Sequence, residues 1–415
     1  MSFRQFERRT APTAAQVIRV ILWPFAVLTV ADRVFIKAAI GYVTDDFQPV
    51  YEASKAFLNH LPVYGEDLNF VDPHYLYPPS GTLLIAPLAI IDLPESRWLF
   101  IILNAAAIIT AWHLLLALFD FSLSSIAAPV LLGAMFLSES VTNTLVFTNI
   151  NGCLLLAEVL FIRWLLQGRD LRAGTALGLM IAVKITPGVL LLIPLARRQW
   201  KVSVTALGVP VLLTCVAWPL SADPEAFITN TLRYLSKPRD YFNSSIGGTA
   251  LYYGVADWLT LLLQIAMATL VAITLWILYR HYLNDDLFFV CTSSGVLLAA
   301  SWLIGSLGQM YYSMFLLPFL MTVVLRNSVL RNWPAWLAIY GFMSYEKWLL
   351  DRWPSLGRDL EYLRVPLGWS LLLIVTFCVL GDRYLNARRK GQLHSGIPIE
   401  SVESSSRAET QQVGT

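Results

Sequence analysis

The chain is predicted to be an all-α, polytopic membrane protein, and three observations predict it. Apolar residues fill 56% of its 415 positions and only 14% are charged, where a soluble domain carries about 25% charged residues. The apolar residues gather in runs, several of them long enough for a bilayer core, which takes about 20 residues of helix to cross. Lys and Arg gather in turns between those runs, and their distribution sets orientation. The net charge of +2 points to no partner. Cys153, Cys215, Cys291 and Cys378 all sit in apolar runs, with neither metal-ligand spacing nor a disulfide framework. The sequence has no GxGxxG, P-loop or HExxH motif, and no basic-aromatic patch for nucleic acid.

Taken in order, Arg4, Arg8 and Arg9 hold the N-terminus in the cytoplasm. The first span runs from about Val17 to Ala39. It lacks a convincing small-residue cleavage site and is expected to stay as a helix. Residues 41–79 form a long polar loop outside, with Asp45-Asp46 near its start. Within it Val50, Ala53, Phe57 and Leu61 repeat at helical spacing, which fits a short helix at the membrane surface. The apolar stretch Ser80 to Asp92 is too short to span and reads as a half-helix or re-entrant segment. Spans follow near 97–118, 122–138 and 151–167, then a basic turn from Gly168 to Arg172. The next apolar stretch, 173–195, is broken at Lys184-Ile-Thr-Pro187. A Pro at that depth is tolerated next to a cavity, where other groups satisfy the freed backbone. A helix over 201–219 exits to a second long outer loop, 221–257. Five more spans lie near 258–279, 286–306, 309–326, 333–349 and 364–381. The whole gives about 11–13 transmembrane helices in one domain, 1–384, with a disordered cytoplasmic tail over 385–415.

This topology places five polar features on one face: the Asp45–Pro79 loop, the Asn149-Ile-Asn151 step, the Lys184 break, Asn243-Ser-Ser, and Gln309-Met-Tyr311-Tyr312. An active site is expected there. Asp45 and Asp46 are the candidate catalytic groups. Adjacent, partly desolvated carboxylates are fit for general-base work on a sugar hydroxyl; the blander reading is a pair of solvated loop acids capping the next helix. Lys184, a cation inside an apolar run, is a functional candidate by default, and a lipid phosphate is its natural partner; the blander reading is a lysine snorkelling to the interface. Arg239 is the second candidate for a phosphate, in a cluster with Arg233 and Lys237 that breaks the charge rule. Tyr51, His74, Tyr75, Tyr77, Asn149, Asn151, Asn243, Gln309, Tyr311 and Tyr312 are candidate substrate-binding residues. Against this, tyrosines also form interfacial belts, His74 also suits a loop carbonyl, and Asn243-Ser-Ser also suits a helix cap or polar loop. Glu139 and Glu158, near or within spans, receive no role.

These residues also carry a resemblance. An outer Asp after the first helix, Val50-Tyr51, Val63-Tyr64 and Tyr77-Pro78-Pro79 resemble the polyprenyl-phosphate-sugar-dependent glycosyltransferases of the GT-C superfamily. The nearest likeness is to the actinobacterial α-mannosyl- and arabinofuranosyltransferases. Lys184-Ile-Thr-Pro187 ahead of Arg197-Arg198-Gln-Trp200 fits the same family. Longer stretches narrow the likeness to its α(1→3) arabinofuranosyl members: Thr44 to Tyr51, Val71 to Pro79, Thr142 to Gly152, Arg239 to Ile246 and Arg331 to Trp336. The similarity covers all but the first ten or so residues and the tail.

The resemblance implies a GT-C fold in the bacterial inner (plasma) membrane, with its site facing the periplasm. It implies decaprenylphosphoryl-β-D-arabinofuranose as donor. The implied acceptor is the arabinan of arabinogalactan, with lipoarabinomannan as an open second polymer, and the product is the α(1→3) branch of the cell wall. A β donor and an α product mean inversion, hence one displacement and one base. The acidic pair inherits that role without a choice between its members. Mannosyl relatives often carry a His where this chain has Gly308-Gln-Met-Tyr-Tyr-Ser313, so the reading leans away from mannosyl transfer. No cofactor and no metal are expected, because the leaving group is a lipid monophosphate, although an acidic pair does suit a hard divalent ion. The rivals are a polyprenyl-phosphate-mannose-dependent α-mannosyltransferase and a lipid-linked sugar transporter. The transporter would show inverted repeats and midplane polar groups, and neither is seen. The regiochemistry rests on the resemblance alone.

Overall fold

A computed structural model describes residues 13–40, 46–71 and 73–393. The regular structure among them is helical, with no strand. Helix α1 (Ala14–Ile40) starts at a capping box, in which Thr13 and Gln16 satisfy each other's backbone. It contains one π-wound turn, Asp32–Lys37. Helix α2 (Phe47–Leu58) and the half-helix α3 (Pro79–Ile90) pack on each other. Then come α4 (Leu93–Leu118), α5 (Ala127–Leu137), α6 (Glu139–Val146), α7 (Asn151–Leu166), α8 (Asp170–Val183), α9 (Thr186–Ala196) and α10 (Trp200–Leu220). The second long loop is itself partly helical, in α11 (224–235) and α12 (Ile246–Tyr252). The chain continues through α13 (Asp257–His281), α14 (Asp286–Ile304), α15 (Met310–Val324), α16 (Trp333–Met343) and α17 (Pro354–Arg389).

Six of these helices, α1, α4, α10, α13, α14 and α17, are long and apolar enough to cross a membrane. The pair α5–α6, bent by 57° at Ser138, makes a seventh. The protein is therefore a multi-pass membrane protein; among the described residues six or seven spans reach this length, where eleven to thirteen transmembrane helices were expected. The remaining apolar stretches are divided into shorter pieces, and each division has a local cause. Ser138 is extended and its hydroxyl caps α6. Pro187 lies in the first turn of α9, where it cannot continue α8. The first seven residues of α15 are wound as a 3₁₀ helix, and α16 stops at Met343 rather than near 349. Helix α17 departs in the other direction. Its 36 residues run well beyond 364–381 at both ends and continue past the position where the tail was expected to begin. Arg4, Arg8, Arg9 and residues 394–415 lie outside the described residues.

Close backbone contact sets the position of α8. Gly174 and Gly178, four apart on one face, lie against α10. A Cβ on Gly174 would stand 2.5 Å from the Cβ of Thr205 and 2.7 Å from the carbonyl of Val202. On Gly178 it would stand 2.7 Å from the Cβ of Val209. Small residues at this spacing let two membrane helices touch along their backbones. The far end of α8 is held as well: the Ser80 hydroxyl of α3 donates to the carbonyl of Ala182 at 2.7 Å. The start of α7 is fixed from α4, where the Asn104 side chain accepts from the amide of Cys153 at 3.1 Å.

The two long loops are clamped together. The Asp223 carboxylate accepts from the backbone amides of Val63 (2.7 Å) and Tyr64 (3.0 Å), and Asn230 donates to the carbonyl of Tyr64 at 3.2 Å. Leu61, expected on the face of the surface helix, lies past its end and is exposed.

Gly174→Val is expected to destabilise the purified protein by about 1–3 kcal/mol through overpacking. Gly208→Ala, in α10 with nothing within 4 Å of the added atom, is expected to hold stability or raise it by up to about 1 kcal/mol. Thermal unfolding in detergent compares them, and equal midpoints would show that the glycine seam does not seat α8.

Candidate functional site

A cavity of about 510 Å³ opens at one end of the bundle, and Asp46, Lys184 and Arg239 all line it. Three different elements bring them there. Asp46 immediately precedes α2 but its side chain does not cap that helix, so the blander reading for this acid fails. One carboxylate oxygen instead accepts from the Tyr311 hydroxyl at 3.2 Å and from the Asn149 amide at 3.5 Å. Its backbone amide donates to the carbonyl of Phe147 at 2.8 Å. Asp45 lies outside the described residues.

Lys184 stands at the end of α8, where Pro187 and the 3₁₀ turn stop the helix from running on. Its ammonium donates to the Asn151 side-chain oxygen at 2.7 Å. Three tyrosine rings surround it, with centroids at 5.0 Å (Tyr312), 5.8 Å (Tyr77) and 6.0 Å (Tyr311). Aromatic faces stabilise a cation without neutralising it. Asn151 is also neutral, so none of these contacts cancels the lysine's charge.

A single turn carries both sets of contacts. Asn149 donates to Asp46 and accepts from the backbone amide of Asn151, at 3.2 Å, and Asn151 in turn holds Lys184. Thr148, just before it, has φ +55°. That is an uncommon conformation for a β-branched residue, of a kind that clusters at functional sites. Asn149 lines the cavity. Asn151 is fully buried behind Lys184, and its amide nitrogen has no partner among the described residues.

Arg239 reaches the cavity from the loop between α11 and α12. One terminal nitrogen donates to the Tyr234 hydroxyl at 2.7 Å, and the guanidinium lies 5.0 Å from the centre of the Tyr241 ring. Its Nε is buried without a partner among the described residues. Arg233 and Lys237, grouped with it in the sequence, do not line the cavity. Burial raises the Tyr77 hydroxyl well above its usual range, and the nearby Asp46 charge raises it further. Tyr77 therefore faces the cavity as a neutral hydroxyl.

The remaining candidates divide. Gln309, Tyr311 and Tyr312 line the cavity. His74 lines it too, but both ring nitrogens are occupied by its own loop: Nδ1 by Glu66 at 2.9 Å and Nε2 by the carbonyl of Phe70 at 2.8 Å. Four residues expected to bind substrate do not line the cavity: Asn151, buried behind Lys184, and Tyr51, Tyr75 and Asn243. Tyr51 lies on the buried side of the surface helix α2 and donates to the carbonyl of Ile91. Tyr75 is buried and bonds Thr82. Asn243 spends its side chain on backbone, donating to the carbonyls of Arg239 and Ser306 and accepting from the amides of Ser245 and Gly308. It is a staple for the cavity rim, in keeping with the polar-loop reading.

Sequence reasoning missed Thr186, Tyr241, Phe147 and Ser306, all of which line the cavity. Thr186 and Tyr241 stand two positions from Lys184 and Arg239 and could have been found by proximity. Phe147 contributes a backbone carbonyl, which leaves no trace in a sequence. Glu158 lies buried in α7 and does not line the cavity. Among the described residues no three His, Cys, Asp or Glu side chains gather as a metal site.

The model of glycosyltransferase family 87 matches residues 75–306. The chain is 54% identical to the α-(1→3)-arabinofuranosyltransferase of Mycolicibacterium smegmatis, over 94% of this chain and 92% of that one. It is 39% identical to the α-(1→3)-arabinofuranosyltransferase of Corynebacterium glutamicum, over 86% of each. A polyprenol-phosphate-mannose-dependent α-(1-2)-phosphatidylinositol mannoside mannosyltransferase of Mycobacterium tuberculosis is 26% identical, over 44% of this chain and 47% of that one.

Asn151→Asp keeps an acceptor for Lys184 but cancels its charge. Affinity for a short prenyl phosphate, read from the ligand-induced rise in thermal midpoint, is expected to fall about tenfold while the ligand-free midpoint holds. Asn151→Ala is expected to lower the ligand-free midpoint as well, since the ammonium loses its partner. Unchanged prenyl phosphate affinity in Asn151→Asp would mean that Lys184 does not meet the phosphate.

Proposed function

The chain belongs to glycosyltransferase family 87, and from that premise we propose that it transfers D-arabinofuranose from decaprenylphosphoryl-β-D-arabinofuranose to the 3-hydroxyl of an arabinan. The product is an α(1→3) branch in arabinogalactan, and in lipoarabinomannan where that polymer is offered. The proposed setting is the bacterial plasma membrane, with the cavity facing the periplasm. The observation that carries this reading is one cavity that holds a carboxylate, Asp46, together with two cations, Lys184 and Arg239, whose hydrogen bonds among the described residues go to neutral groups, Asn151 and Tyr234. The high identity to arabinofuranosyltransferases along almost the whole chain supports the choice of sugar.

The chemistry follows from where the charges stand. Lys184 and Arg239 hold the donor phosphate and stabilise the negative charge that grows on it as the bond to the anomeric carbon breaks. The sugar passes through an oxocarbenium-like state, as in other glycosyl transfers. The acceptor oxygen attacks from the opposite face, its proton goes to the acidic pair, and the electron pair of the broken bond leaves with the prenyl phosphate. One displacement inverts the configuration, β to α. Tyr311 and Asn149, which already donate to Asp46, orient the carboxylate for that proton. The lipid phosphate is a monoester-type leaving group flanked by two fixed cations, so the mechanism calls on no metal.

Transfer from labelled decaprenylphosphoryl-arabinofuranose to a linear α(1→5) arabinan oligosaccharide, with linkage analysis of the product, tests the reading. Wild type is expected to yield a 3-linked branch. Asp46→Asn is expected to lose about two to four orders of magnitude in kcat, the usual range for a general base. Lys184→Met is expected to raise the donor KM. Full activity in both Asp46→Asn and Asp45→Asn removes the acidic pair from the mechanism. A product made from a mannose donor instead replaces the sugar.

A further inference from the structure

A polymer acceptor does not fit inside this site. The cavity of about 510 Å³ is in the range of ordinary small-molecule pockets, about 300–1,000 Å³. It takes the reacting sugars and leaves the rest of the acceptor lying across the rim. One part of the rim has the make-up of a sugar-binding surface. Tyr252 and Tyr362 stack in parallel, with ring centroids 4.2 Å apart at 20°. Tyr253 stands edge-on to both, at 4.9 and 6.0 Å. The Tyr362 hydroxyl donates to the carbonyls of Asp240 (3.0 Å) and Asn243 (3.5 Å). This joins the cluster to the loop whose Arg239, Tyr241 and Phe242 line the cavity. Tyr252 and Tyr253 are each 39% exposed.

A carboxylate completes the group. Asp359, in the first turns of α17, accepts from the Tyr253 hydroxyl at 2.9 Å through one oxygen. Its other oxygen has no partner among the described residues. Partial desolvation, then the bond to Asp359, pushes the Tyr253 hydroxyl up to about 12, so it remains a donor. Flat aromatic faces suit the apolar face of a sugar ring, and a half-satisfied carboxylate suits a pair of sugar hydroxyls. An acidic edge is unsuited to anionic lipid headgroups. The rings are already locked by one another, so binding freezes no rotamers. An interfacial aromatic belt would also expose rings at this level, as Trp258 does at 69%. A belt residue, however, requires neither a carboxylate partner nor a tie to the cavity loop.

We propose that Tyr252, Tyr253 and Asp359 form an acceptor subsite, which holds sugar units of a neutral glycan at a distance from the reacting one. This rests on the glycan acceptor proposed above. The test compares a short acceptor, an arabinan disaccharide, with an octasaccharide, using full-length protein in nanodiscs of neutral lipid and of lipid with an anionic fraction. In Tyr252→Ala and Asp359→Asn the octasaccharide KM is expected to rise about three- to tenfold, the range of one lost ring contact, with kcat and the disaccharide KM unchanged. Tyr253→Phe keeps the ring and is expected to show the smaller part of that rise. An unchanged octasaccharide KM overturns the subsite. So does a rise that is equal for both acceptors, or one that appears only with anionic lipid, which would make the cluster a membrane anchor. Octasaccharide binding without donor, by saturation-transfer NMR on wild type and Tyr252→Ala, reads the subsite independently of turnover. Loss of that signal in the variant supports it even if wild type transfers no arabinofuranose, an outcome that would sink the sugar assignment and not the subsite.

Discussion

A lysine ammonium at the broken end of a membrane-buried helix needs a partner, and the choice of partner decides what else the protein can do. A carboxylate would hold Lys184 and cancel it. Asn151 holds it and leaves the charge in place. The rest of the site is arranged around that one hydrogen bond. The glycine seam between α8 and α10 fixes how deep Lys184 stands. Asn104 fixes where α7, and therefore Asn151, begins. The turn before Asn151 accepts a left-handed Thr148 so that Asn149 can face Asp46. The acid and the cation are thus registered against each other through four consecutive residues rather than through separate loops. This is the kind of rigid support that catalytic geometry needs.

The opposite wall is built differently. It comes from the long loop after α10, which would be mobile as bare polar chain. Polar side chains are spent on its backbone instead. Asp223 ties its start to the first loop through Val63 and Tyr64, and Asn243 ties its middle to Ser306 and Gly308 with two bonds and to its own loop, at Arg239 and Ser245, with two more. Arg239 lies between these two fixed points. Buried polar groups are costly unless paired, and here nearly every one is paired with main chain. Among the described residues, two buried nitrogens near the site lack a partner: the Nε of Arg239 itself and the amide of Asn151 behind Lys184.

Much of this was legible in the sequence, for physical reasons. Hydrophobic runs and basic turns announce membrane helices, and Lys184 with Pro187 inside such a run announces a break at a cavity. The convergence of Asp46, Asn149, Lys184, Gln309 and Tyr312 followed from counting crossings, although several of the stretches counted are short or broken. It survived because a broken stretch such as α8 and α9 still presents its break, at Lys184, to the same cavity. What the sequence could not show was the use of each side chain. Asn243 and Asn149 are both asparagines in polar loops, yet one staples backbone and the other faces a carboxylate. Tyr75 and Tyr77 differ by two positions and point to Thr82 and to the cavity. Such differences depend on where a neighbouring chain passes, which a local pattern does not record.

Helix α17 is anchored at one end by Arg383, which donates to the carbonyls of Asn327 and Ser328. Near its other end it carries Tyr362, bonded to the loop that holds Arg239. At the rise of an α-helix those 21 residues span about 32 Å, close to the roughly 30 Å of a bilayer's hydrocarbon. The helix is therefore a ruler laid across the membrane with a fastening at each end. A bilayer of another thickness cannot be met by sliding it; where the lipid does not itself thin or thicken, the helix tilts. Tilting would shift the rim relative to Lys184, which is fastened to other helices. Lipid thickness thereby becomes a variable of the site's geometry, transmitted by a rigid rod rather than by any bound molecule.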